Sequence, residues 1–335
     1  MKLVCYGASV TAQKNDTGYF QQLVESSCAS SFSSIEKVAF GASQFEYAGY
    51  SFMQDVLDYK PDICVIDWLT PSMPGFNAFK IDLLNYALLS INCLPVWVFF
   101  PRVNNFSNLP NSFAQVSDST QQFSLNFLDL RSEMPDFLDD PKKYLRDAVH
   151  TTLDGAKCYA KAINNELKKV ISEFDERLSL AKLSEGYKLT AEKKYSIPLI
   201  KESEFTIDSF CSLEIDFQYK GGFFEVYFDT DIGPHICFLD CTLYKDGELF
   251  DHQIFNKVDP WCYYKRSKII VVLRKRIPAG NYKLVIQKGN GNPFEERETR
   301  KPVEEHWNEV DRYISVKRIS ATADDFKLSM NRSKK

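Results

Sequence analysis

Four histidines stand in 335 residues, and His150 is the only one before position 235. Asp147 lies three residues ahead of it, close enough along one turn for its carboxylate to meet the ring nitrogen Nδ1. A carboxylate there fixes the tautomer and steadies an imidazolium, leaving Nε2 to take a proton from a hydroxyl. Ser9 is the natural source of that hydroxyl, since it follows the apolar run 2–6 and Gly7 permits a sharp turn behind the run. Hydroxyl, imidazole and carboxylate in series are the components of nucleophilic acyl transfer through a covalent intermediate. Ser9 and His150 also have plainer readings taken singly: Ser9 as a helix N-cap or turn serine, His150 as a surface-loop histidine.

The elements that must position these groups change character along the chain. Over 1–170, short apolar runs at 2–6, 37–40, 63–67, 95–100 and 127–129 alternate with amphipathic stretches at 18–25, 47–57, 78–89 and 155–170. Strand, helix, strand at this spacing predicts a flavodoxin-like, doubly wound, five-stranded parallel sheet. Runs such as Ile-Cys-Val-Ile carry no polar alternation, as expected where helices cover both faces. Ligands of such sheets bind at the carboxyl ends of the strands. That rule brings forward Ser9, then Gly41 after the second run, Trp68 and Thr70 after the third, and Arg102 after the fourth. From about 200 the pattern shortens to segments near 205–210, 212–219, 223–229, 235–244, 268–273, 282–287 and 313–319. They are separated by Gly- and Pro-containing turns. This predicts an all-β sandwich or jelly roll. The expected division is an α/β catalytic unit over 1–172, a partly helical linker over 173–200, a β-sandwich over 201–322 and a flexible tail over 323–335.

Several motifs of the first half resemble those of the SGNH (GDSL-type) hydrolases. Gly7-Ala8-Ser9 is similar to the first block, with Ala8 where Asp is common. Gly41 is similar to the second-block glycine, and Asp147-Ala148-Val149-His150 to the D-x-x-H of the fifth block. Gly155 matches the small residue that opens the final helix. Lys60 to Ile66 resembles the lead-in to the third block, but the block itself departs. In register, Leu69 stands at the family's Gly, Pro71 at its oxyanion Asn and Ser72 at its Asp. Proline offers no N–H, so Thr70, Ser72 or Asn77 would have to substitute. The resemblance implies a Ser9–His150–Asp147 triad and an oxyanion hole from the Ser9 and Gly41 N–H groups, with Thr70 as a third candidate. It implies an acylated carbohydrate or small acyl ester as substrate, with neither metal nor organic cofactor. Trp68 and Arg102 are the candidate substrate-binding residues. Arg102 is alternatively half of a surface ion pair, and Trp68 a core or rim tryptophan.

Composition narrows the alternatives. Apolar residues make up 44% and charged residues 26%, and 41 basic against 45 acidic side chains leave a net charge of −4. That balance gives no basic footprint for nucleic acid, and no apolar run reaches membrane-spanning length. Nine cysteines without a CxxC pair, and the absence of a signal-peptide pattern at 1–9, predict buried reduced thiols in a cytoplasmic protein. Zinc is not expected, because no histidine is spaced with cysteines as ligands. His235, His252 and His306 receive no role, and Trp261, Tyr263, Tyr264, Trp307 and Tyr313 are read as packing before sugar stacking. Three functional expectations follow. The first is an esterase acting on O-acyl, foremost O-acetyl, esters of a carbohydrate. The second is an O-acyltransferase on a sugar or polysaccharide precursor with the same triad. The third is a catalytically weak glycan-binding module. Homo-oligomerisation through the β half remains open beside them.

Overall fold

The computed structural model describes residues 1–70, 76–193, 197–256, 258–295, 298–303 and 307–332. The chain divides into two compact units, Met1–Ile197 and Pro198–Lys335.

In the first unit, strands β1 (Lys2–Gly7), β2 (Ser34–Ala39), β3 (Ile63–Asp67), β4 (Leu94–Phe99) and β5 (Asn126–Asp129) form one parallel sheet in the order β2-β1-β3-β4-β5. The order explains the composition of each strand. Central β3 and β4 are buried along their whole length, whereas the edge strands β2 and β5 are only partly buried. The helices are α1 (Ser9–Ala12), α2 (Tyr19–Val24), α3 (Gln54–Tyr59), α4 (Ala78–Ser90), α5 (Asn111–Gln122), α6 (Pro141–Tyr144), α7 (Leu153–Ser172), α8 (Phe174–Leu183) and α9 (Glu185–Glu192). The flavodoxin-like, doubly wound five-stranded arrangement expected from the sequence is the one found.

Three local expectations are corrected. Helix α5 escapes the apolar-periodicity reading because it buries mainly small polar side chains, Ser112, Ser119 and Thr120, beside Val116. The stretch 47–57 is helical as one piece only from Gln54. Gly49 ahead of it lies so close to Trp68 that a Cβ would come within 2.7 Å of the indole. Residues 173–192 are not a free linker. Ala181 of α8 is fully buried in the first unit's core, and Gly186 of α9 sits flush on the Phe123 ring, where a Cβ would approach to 2.4 Å.

Among the described residues of the second unit, nine antiparallel strands make a sandwich. One sheet runs β10 (Glu248–Phe255), β9 (Leu239–Lys245), β12 (Gly280–Lys288), β7 (Cys211–Tyr219), β14 (Phe326–Arg332). The other runs β11 (Arg266–Ile277), β8 (Gly222–Ile232), β13 (Ile314–Ala321), β6 (Leu199–Ile207). The expected flexible tail is instead largely strand β14. It pairs with β7, and the alternation Phe326, Leu328, Met330 faces the sandwich core. Among the described residues, no helix is long and apolar enough to cross a membrane.

Candidate active site

The turn after β1 is built by close approach. A Cβ at Gly7 would meet the Thr11 hydroxyl at 2.4 Å and the Asp67 carbonyl at 2.6 Å, so only glycine lets strand and helix fold back this tightly. The Ala8 N–H donates to the Asp67 carbonyl (3.1 Å), which ties the turn to the end of β3. Ser9 then opens α1 and stays partly exposed, while Ala8 is sealed beneath it. Gly41 follows β2, whose exit is fixed by the Phe40 N–H on the Gly7 carbonyl (3.0 Å). A Cβ at Gly41 would touch nothing within 4 Å, and the next residue, Ala42, holds φ of +53°. That left-handed alanine costs about 1 kcal/mol. Among the described residues, neither the Ser9 nor the Gly41 N–H donates to a backbone carbonyl.

Asp147 and His150 sit on one tight turn. The imidazole Nδ1 lies 2.8 Å from Asp147 Oδ2 and 3.1 Å from Oδ1. The His150 and Val149 backbone N–H groups donate to Oδ1 at 2.8 and 2.9 Å. Partial burial works against the Asp147 carboxylate, but these N–H donors and the imidazole outweigh it and hold the acid below its ordinary range. The turn is closed by the Arg146 N–H on the His150 carbonyl (2.9 Å). It is anchored to α7, where the Thr152 hydroxyl accepts the Gly155 N–H (3.1 Å). A Cβ at Gly155 would fall 2.0 Å from the Tyr144 carbonyl, which accounts for the small residue there.

A pair the sequence reading missed joins the two segments. Gln13, at the end of α1, donates from Nε2 to the Thr151 carbonyl (3.1 Å), and the buried Thr151 hydroxyl donates to the Thr17 carbonyl (2.5 Å) with Gln13 Oε1 3.3 Å away. The residue after His150 is thereby latched to the helix that begins with Ser9. Its only trace in the sequence is position: Gln13 is about one helical turn beyond Ser9, and Thr151 is next to His150. Ser9, Gly41 and His150 line one pocket of about 340 Å³, together with Gln13, Lys14 and Arg146. A larger hollow of about 830 Å³ in the second unit is lined by Asp216, Tyr219, Asn281, Asp324 and Asp325. Side-chain chemistry, not size, singles out the first.

The other candidates are placed differently. Trp68 is fully buried, edge-on to Tyr6 and packed against Phe40 and Phe45, because its position just past central β3 drives it into the core. Thr70 is buried as well, and its hydroxyl donates to Asp67 Oδ1, so that proton is not offered to a ligand. Asn77 caps α4, its Oδ1 accepting the Phe79 N–H at 3.2 Å. Pro71 and Ser72 lie outside the described residues, as does His306. Arg102 is half-buried, with Nη1 3.4 Å from the Thr70 carbonyl. Burial lowers its pKa and the Asp147 charge counteracts this. His235 packs against Trp307 and Tyr313, and His252 meets Asp240 at 2.8 Å.

Asp67 is the second group that sequence reading passed over. The last residue of β3, it is fully buried with Thr11 and Thr70 hydroxyls on its carboxylate, Thr11 at 3.0 Å. Burial pushes its pKa up to about 7, with the threonine hydroxyls and N–H groups pulling the other way. Among the described residues, no cluster of three or more His, Cys, Asp or Glu is arranged to hold a metal ion.

No family model and no curated protein matches this sequence. Solved structures do match. A two-domain esterase (CEX) active on acetylated mannans, co-crystallised with mannopentaose, aligns over 97% of this chain and 91% of its own, with a TM-score of 0.67 at 13% identity. A second crystal structure of a two-domain esterase of that description aligns over 97% and 92%, with a TM-score of 0.61 at 12% identity. An acetyl xylan esterase, AlAXEase, aligns over 50% of this chain and 100% of its own, at a TM-score of 0.40 and 17% identity. At these identities the two-domain matches show the fold alone: a flavodoxin-like α/β unit followed by a β-sandwich.

Proposed function

We propose that this protein is a serine esterase that removes O-acyl groups, foremost O-acetyl, from a carbohydrate. The observation that carries the reading is the gathering of Ser9, Gly41 and a carboxylate-held His150 around one pocket. Ser9 Oγ attacks the ester carbonyl while His150 Nε2 takes its proton, and Asp147 keeps Nδ1 protonated and steadies the imidazolium. The tetrahedral oxyanion is received by the Ser9 and Gly41 N–H groups. Collapse expels the sugar hydroxyl, which takes the proton back from His150 and leaves an acyl-Ser9. Water, deprotonated by His150, then attacks the acyl carbon, and the carboxylic acid leaves as Ser9 regains its proton. Each step uses side chains, backbone donors and water alone. The choice of an acetylated glycan is supported by the two-domain neighbours, which are esterases active on acetylated mannans.

The test is Ser9→Ala, assayed by acetate release from p-nitrophenyl acetate and acetylated oligosaccharides, alongside labelling with a serine-directed fluorophosphonate. Loss of turnover and of labelling is expected, and unchanged turnover in the variant refutes the assignment. Products formed with an added acceptor sugar separate hydrolysis from acyl transfer.

A further inference from the structure

The pocket that holds Ser9 and His150 is charged in the opposite sense to the chain. The protein carries a net charge of −4, yet the described residues that line the pocket include Lys14 and Arg146 and no carboxylate. Asp147, the acid next to Arg146, is committed elsewhere. It holds His150 Nδ1 and accepts the Val149 and His150 N–H groups, while the Arg146 Nε stays 4.0 Å from it. Asp16, two residues beyond Lys14, is exposed and outside the lining. The Lys14 ammonium has no ion pair or hydrogen bond among the described residues. A third cation stands close by: Lys37 of β2 donates from Nζ to the Gln13 carbonyl (3.2 Å), on the peptide that leads into Lys14. Burial, and after it the charge of Lys14, lowers the Lys37 pKa, so the two amines feel each other's charge. The Gln13–Thr151 latch fixes the backbone on both sides, with Lys14 on the nucleophile's segment and Arg146 on the histidine's. Among the described lining residues there is also no aromatic ring, and so no stacking face for a neutral sugar. Positive charge is the strongest recognition chemistry left in the pocket.

We propose that Lys14 and Arg146 are specificity-determining residues, which select an O-acylated glycan carrying an anionic group, a carboxylate or a phosphate, beside the ester. The inference rests on the esterase reading above and narrows its substrate. An anionic group drawn to the pocket places the neighbouring acyl carbon at Ser9. The Arg146 fork can take two of its oxygens, and the Lys14 ammonium acts as a point charge from the other segment. Unpaired cations at the mouth of a site also attract an anionic substrate from solution, an effect that salt screens.

The experiment measures kcat/KM for acetate release from O-acetylated glucose, glucuronate, glucose phosphate and glucosamine, with Ser9 phosphonylation followed in parallel. Wild type is expected to favour the anionic sugars over acetylated glucose by about 10- to 100-fold. Lys14→Gln and Arg146→Gln are each expected to lower that preference by about 3- to 10-fold. The preference should also shrink between about 20 mM and about 500 mM sodium chloride. Arg146→Glu combined with Lys14→Glu should turn over acetylated glucosamine, a cation at neutral pH, faster than wild type does, a gain that a misfolded variant cannot show. A stronger preference for glucuronate assigns a carboxylate, and one for glucose phosphate a phosphate. Equal kcat/KM on all four sugars, or an anionic preference that the charge variants leave intact, overturns the proposal while the esterase reading stands on Ser9-dependent turnover. A wild type whose Ser9 neither labels nor turns over any of these esters overturns both.

Discussion

Replacing Asp67 by asparagine isolates the energetics of a single buried acid beneath the nucleophile turn. The carboxyl is fully buried and faces two threonine hydroxyls, and no cation pairs with it among the described residues. Around it stand Tyr19, whose hydroxyl meets Thr11 at 3.0 Å, together with Cys5 and Tyr159. Burial pushes all three further up from already high values, so they stay neutral between pH 5 and 8. Asp67 itself moves from an ordinary 3.8 to about 7, because burial disfavours its charged form. The folded state therefore holds the proton more tightly than the unfolded chain does. The stability this contributes is complete below pH 3.8 and is lost as pH rises through about 7. The full shift corresponds to about 4 kcal/mol, of which more than half falls between pH 5 and pH 8. Asparagine keeps the shape, and the threonine hydroxyls can rotate to accept from its amide, so its cost does not vary with pH. Relative to wild type, Asp67→Asn should thus gain about 2–3 kcal/mol on going from pH 5 to pH 8. Urea-dependent hydrogen exchange, read by mass spectrometry on peptides covering β1 and β3, reports the first unit alone. A difference between the two proteins that stays the same at both pH values would refute the reasoning.

Two further changes probe the site. Asp147→Asn removes the acceptor that fixes the His150 tautomer and should cut kcat on p-nitrophenyl acetate by about 1,000- to 10,000-fold, with thermal unfolding little changed because Asp147 is half exposed. Gly155→Ala forces a Cβ against the Tyr144 carbonyl and should cost about 3 kcal/mol in chemical denaturation, with activity falling as the turn before α7 shifts.

The architecture was legible because periodicity is local. Unbroken apolar runs such as 63–66 declare a doubly covered strand, and short alternating segments after 200 declare a sandwich. Where burial used other chemistry, the signal faded. Helix α5 buries serine and threonine, and β14 shows only three alternating apolar residues at the end of the chain. Helices α8 and α9 disclose their attachment only through Ala181 and Gly186, whose small size matters solely against a partner surface.

At the site, the sequence by itself determined the Asp147–His150 pair, because a carboxylate three residues before a histidine meets it within one turn. It also marked Ser9 and Gly41 as strand-end residues. Only the tertiary structure decided that Gln13 and Thr151, 138 residues apart, latch the two segments together. It likewise put Trp68 in the core and tied up Thr70. The physical reason is range. Turns and periodicity are set by neighbours along the chain, whereas burial and hydrogen-bond satisfaction depend on what the folded sheet brings across from distant strands.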